Sequence, residues 1–177
     1  MSLQTVADAM ARLEKLFRRR PEAGLVRDTP AHATWSGPDA PLRVVCRHPG
    51  GREVSTDMPP ELGGGGVEVT PGWLYRAGLA SCATTSIALL AAAEGIVLET
   101  LQVEAASQSD ARGLVGLDDE DGRVVSAAPV DQRLAIVIGA RGATPAQLHS
   151  LVERALQRSP IPLAVKSSGL AVQVDIA

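Results

Sequence analysis

The 177 residues suit one domain, or one compact domain with an N-terminal appendage, and a net charge of −3 with a pI near 5.6 argues against a nucleic-acid surface. Aromatic residues are only 2% of the chain, so its core must be built from close contacts of Ala, Val, Leu and Ile. Two cysteines, Cys46 and Cys82, are too few for a secreted disulfide framework, and residues 1–20 carry Asp8, Arg12, Glu14 and Lys15 with no apolar h-region, which predicts a cytoplasmic protein without signal peptide or membrane anchor.

In chain order, Val6, Met10, Leu13 and Phe17 recur at helical spacing and predict an amphipathic helix that Pro21 and Gly24 stop. This sets 1–24 apart as an N-terminal appendage before a domain over 25–177, and its stripe is expected to pack on the domain or on a partner subunit. Arg18, Arg19 and Arg20 read as a solvated helix C-terminus, favourably placed against the helix dipole. From Ala31 to Asp57 short strands alternate with the turn signals Ser36-Gly37-Pro38 and Pro49-Gly50-Gly51. Asp57 to Gly66 is a loop with two prolines and four consecutive glycines; no Lys-Ser/Thr pair follows them and no strand leads in, so a phosphate cradle is not expected.

Thr70 to Gly95 is the longest helical signal. Thr70 supplies an N-cap oxygen, Pro71 sits where a missing N–H costs nothing, and Gly95 suits the left-handed residue after a helix. Between Arg76 and Glu94 no residue is charged and every face is apolar or small, which predicts a central, buried helix. A membrane span is the rival reading; the uncharged run falls just short of the usual ~18 residues and is rich in Ala, Gly, Ser and Thr. Beyond it, Leu101, Val103 and Ala105 mark a half-buried strand, and 110–129 a polar excursion. The acidic cluster at 118–121 lacks the first Asp of an EF-hand, where Leu117 stands, and reads as a solvated turn. Leu134, Ile136 and Ile138 predict a further strand. Thr144, Pro145 and Gln147 open a helix by a capping box, with Leu148, Leu151, Val152, Ala155 and Leu156 as its buried stripe; Ser159-Pro160 ends it, and Leu170, Val172, Val174 and Ile176 form the last strand. The plan is α+β, a sheet wrapped around a central helix, which on composition alone is shared with a hot-dog fold.

The run Pro71, Leu74, Ala77, Gly78, Ala80, Ser81, Cys82 resembles the OsmC/Ohr family of thiol-dependent hydroperoxide reductases. The Gly-rich approach at 61–66, the EGI turn at 94–96 and the Ser159-Pro160-Ile161 ending fall where that family has counterparts, so about Arg43 to Ala177 is covered. The resemblance implies antiparallel sheets around a long central buried helix and an intertwined homodimer with a reactive cysteine near each subunit boundary. It implies Cys82 as the thiol that reduces organic hydroperoxides under oxidative stress, turned over by an external thiol reductant, with neither cofactor nor metal.

A free thiol, with a pKa of about 8.5, is only slightly ionised at neutral pH, and the helix dipole acts within the first turn, too far from Cys82 to help. In the family an Arg from an early strand lies against the sulfur, held by a Glu ten positions before the cysteine. Here that place falls near Pro49, flanked by Arg47 and Arg52, and the Glu position is Gly72. The family's second cysteine corresponds to Ser159, which cannot form a disulfide, so resolution falls to an external thiol or, alternatively, to Cys46. Cys46-x-His48 lacks the second ligand pair of a metal site, and His32 and His149 stand alone. The alternative to an enzyme is a degenerate member in which a pocket around Trp73, Tyr75 and Cys82 holds a hydrophobic small molecule or senses redox state.

Overall fold

The computed structural model describes residues 3–166 and 169–176. The chain divides into two compact units, Leu13–Ala77 and Gly78–Ala177, the second taking in Met1–Arg12 as well. The first helix, α1 (Leu3–Arg19), and the long helix, α2 (Pro71–Ala93), each run through a boundary.

In the unit Leu13–Ala77, strands β1 (His32–Trp35), β2 (Val44–Arg47) and β3 (Glu53–Thr56) form an antiparallel sheet in that order. The expected turns join them, with Gly37 and Gly51 at positive φ. Cys46 stands opposite Ala33 on one side and Val54 on the other. The Phe17 ring packs beside Gly24, the last residue of the short 3-10 turn Pro21–Gly24 that stops α1. Leu13 and Phe17 remain exposed, so the C-terminal half of the amphipathic stripe is not covered within the chain.

The glycine run is folded onto Asp57, a buried carboxylate. Its Oδ1 accepts from the Met58 N–H at 2.7 Å and its Oδ2 from the Gly65 N–H at 3.0 Å. Gly64 has no alternative there, because a Cβ would lie 1.8 Å from the Met58 carbonyl oxygen. The anion that these two N–H groups meet is therefore a carboxylate of the chain itself.

The unit Gly78–Ala177 contains the sheet β4 (Leu98–Gln108), β5 (Val130–Ala140), β6 (Ala171–Ile176), with β5 in the middle. Alternation along β5 buries Gln132, Leu134, Ile136 and Ile138 on one face. Against that face pack Leu79, Ala83, Ile87 and Ala91 of α2, spaced by four, and Leu148, Leu151, Val152 and Ala155 of α4 (Pro145–Leu156). The polar excursion holds the short helix α3 (Ala111–Leu114), and its acidic turn is closed by Asp119 accepting from the N–H groups of Asp121 and Arg123.

Three expectations are corrected. The sheets are not wholly antiparallel: β5 and β6 run parallel, Leu134 opposite Val172 and Ile136 opposite Val174. The connection between them carries helices, and a crossover of that kind brings a strand back in the same direction. The Ser159-Pro160 stop opens another helix, α5 (Pro160–Val165), because a proline is tolerated in the first helical position. Finally, α2 is long but not enclosed: within one chain Leu79, Ala83, Ile87, Ala91 and Ala92 are buried while Ser81, Thr85, Ala88 and Leu89 are exposed. It is long and apolar enough to cross a membrane by length and composition alone, yet one face of it builds the core of this unit.

Candidate functional site

The ends of α2 fix where its side chains point. Thr70 Oγ1 accepts from the Trp73 N–H at 3.1 Å, and Gly95 at φ +70° closes the other end. There the Ile96 N–H donates to the Ala91 carbonyl and the Gly95 N–H to that of Ala92, the pair of bonds that makes a Schellman stop. Between these caps Cys82 is half-buried, next to the core residue Ala83. The hydroxyl of its neighbour Thr84 is occupied, donating to the Ala80 carbonyl at 2.8 Å.

The sulfur meets a group from far along the chain. Cys82 Sγ lies 3.3 Å from the Oγ of Ser159, which is fully buried at the N-cap of α5. Helix α5 passes over this part of α2, with Ile161 Cδ1 3.8 Å from the place of a Gly78 Cβ. Serine cannot form a disulfide, yet the Ser159 hydroxyl is the partner that the structure gives to Cys82.

The other residues singled out in the sequence fall in the unit Leu13–Ala77. Arg47, Arg52 and Cys46 come together, lining with His48, Glu53 and Val54 a cleft of about 280 Å³. Arg47 is paired with Glu53 at 2.5 Å across β2 and β3, whereas Arg52 has no carboxylate partner among the described residues. His48 Nδ1 accepts from the Gly50 N–H at 2.9 Å, an assignment that puts the proton of the neutral ring on Nε2. Trp73 and Tyr75 lie in the first turns of α2, Trp73 half-exposed and Tyr75 partly buried. At Gly72 a Cβ would meet only Arg76 Nη1 at 3.6 Å and Thr70 Oγ1 at 4.0 Å, so packing does not demand glycine there. Among the described residues no group of three or more His, Cys, Asp or Glu side chains comes together in a metal-binding arrangement.

The fold coincides with that of known proteins. Residues 63–175 match the OsmC-like protein family. The chain belongs to that family. No curated protein sequence matches it. Among solved structures, the OsmC-like chain is similar to an OsmC-like protein from Mycoplasma pneumoniae, with a TM-score of 0.67 at 15% identity, covering 86% of this chain and 98% of that one. An OsmC-like protein of unknown function from Vibrio cholerae gives 0.64 at 17% identity, covering 86% and 100%. An organic hydroperoxide resistance protein from Legionella pneumophila gives 0.59 at 22% identity, covering 86% and 98%. At these identities the likeness is one of fold.

Proposed function

We propose that this OsmC-like protein reduces organic hydroperoxides with Cys82 as the nucleophile and an external thiol as reductant. The observation that carries the reading is the contact between Cys82 and Ser159, 77 positions apart in sequence, which are the two positions that the family resemblance assigns to its peroxide-reacting and resolving cysteines. With serine at the second, the reaction needs two external thiols. The Cys82 thiolate attacks one peroxide oxygen; the S–O bond forms, the O–O bond breaks, and the alkoxide leaves and is protonated to the alcohol, giving the sulfenic acid. One external thiol then condenses with the sulfenic acid, releasing water and leaving a mixed disulfide. A second thiol attacks that disulfide, restores Cys82 and departs as the oxidised reductant.

The guanidinium assigned by resemblance to Arg47 or Arg52 has a natural first test. Arg47 already has Glu53 as a partner, so Arg52→Ala is expected to lower turnover more than Arg47→Ala. The deciding experiment is peroxide consumption by purified protein with a dithiol reductant. Wild type should turn over and Cys82→Ser should not; equal rates for the two would overturn the reading.

A second reading, binding without turnover, is favoured by the missing carboxylate at Gly72 and by a cavity of about 410 Å³ that is apolar along Val152, Leu156, Leu163 and Val174 and polar at His149, Glu153 and Lys166, and that would hold a small molecule with a hydrophobic body. Under that reading peroxide leaves Cys82 unmodified by mass spectrometry.

A further inference from the structure

Ser159 occupies the N-cap of α5, a position where serine normally turns its hydroxyl back to accept from the first N–H groups of the helix. Here it makes no such bond. The helix is held instead by the Ser159 backbone carbonyl, which accepts from the Leu163 N–H at 3.0 Å. The sequence Ser159-Pro160-Ile161-Pro162 explains part of this, since Pro160 and Pro162 carry no N–H and only Ile161 among the first three helical positions could compete for the oxygen. The freed hydroxyl is fully buried and points at Cys82 Sγ. A buried hydroxyl without a partner is destabilising, so the pair is held by more than proximity.

We infer that Ser159 is a positioning residue for Cys82, holding the sulfur in one rotamer and hydrogen-bonding it in both of its protonation states. When the sulfur is a thiol, its S–H donates to Ser159 Oγ. When it is a thiolate, the hydroxyl rotates and donates to the sulfur. The dipole of α2 does not reach Cys82, and the hydroxyl of Thr84 is already engaged, which leaves Ser159 as the side chain hydrogen-bonded to Sγ among the described residues. The inference rests on Cys82 being the reactive thiol of the proposed function, and neither measurement below uses peroxide, so it can fail while turnover stands.

In a Cys46→Ala protein, where Cys82 is the single thiol, the infrared S–H stretching band of the protonated form should lie below that of a free, non-bonded thiol, and Ser159→Ala should return it upward. In the same background Ser159→Ala should alkylate with iodoacetamide about threefold more slowly at neutral pH, because the attacking sulfur loses the hydroxyl that holds it in one rotamer. Ser159→Thr, which keeps the hydroxyl, should restore both readouts. A band at the free-thiol position in the Ser159 protein overturns the inference even if the alanine variant fails to fold. Identical bands and rates in the serine, alanine and threonine proteins overturn it as well.

Discussion

Glu94 and Arg154 join the end of α2 to α4 by a two-pronged ion pair, Arg154 Nη1 to Glu94 Oε1 and Nη2 to Oε2 at 2.9 Å. The hydrogen bonds from Arg154 hold the Glu94 carboxyl below its usual range. A depressed carboxylate stabilises the fold above the ordinary glutamate pKa, about 4.3, and that contribution is lost as pH falls through the lower folded value. Both side chains are partly exposed, 32% and 41%, so solvent screening limits the pair to the surface range. Arg154→Ala is expected to lower the urea midpoint slightly at neutral pH, with the difference from wild type shrinking below about pH 4. A difference that does not change with pH would show that the arginine acts through packing alone. Residues of this kind are half legible in sequence. Thr70, Gly95 and the Thr144 capping box follow from local rules and stand where those rules put them. The Glu94–Arg154 and Cys82–Ser159 pairs depend on which elements meet, and a span of 60 or 77 residues leaves no periodic trace.

At the scale of elements, α2, apolar or small on every face, is legible from its caps and its uncharged length, whereas hydrophobic period found α1, α4 and most strands, each by an apolar stripe or alternation. It did not find α5: six residues are too few for a period, and prolines at both its first and third positions read as breakers. It also could not give the direction of β6, since alternation looks the same in a strand laid parallel or antiparallel. The stop of α2 is the element feature with the plainest energetic content. Gly95 sits at φ +70° with nothing within 4 Å of a would-be Cβ, so alanine there meets no steric obstacle except its own backbone. Gly95→Ala should therefore cost about 1–2 kcal/mol, the left-handed penalty alone, read as a lower urea midpoint with unchanged slope. An unaltered midpoint would mean that the Schellman turn gives way without loss.

For the whole molecule, a helix without a charge from Ala77 to Ala93 is more apolar than one chain requires. One face packs on β5 and α4; the other, with Ser81, Thr85, Ala88 and Leu89, stays exposed and offers few groups that need water. Single exposed apolar residues are ordinary, but an uncharged helix face of this length is the pattern of a surface that meets a partner. We propose that the partner is a second copy, with the outer faces of two α2 helices meeting about a twofold axis, where Ser, Thr and Ala allow close backbone approach. Light scattering at micromolar concentration should give twice the chain's 18.4 kDa. Thr85→Arg, which places a charge on the exposed face and leaves the buried stripe of α2 untouched, should shift that mass to the monomer while preserving the circular dichroism of the fold. A wild-type monomer at that concentration would remove the dimer, and a Thr85→Arg protein that stays dimeric would place its interface elsewhere than on this helix.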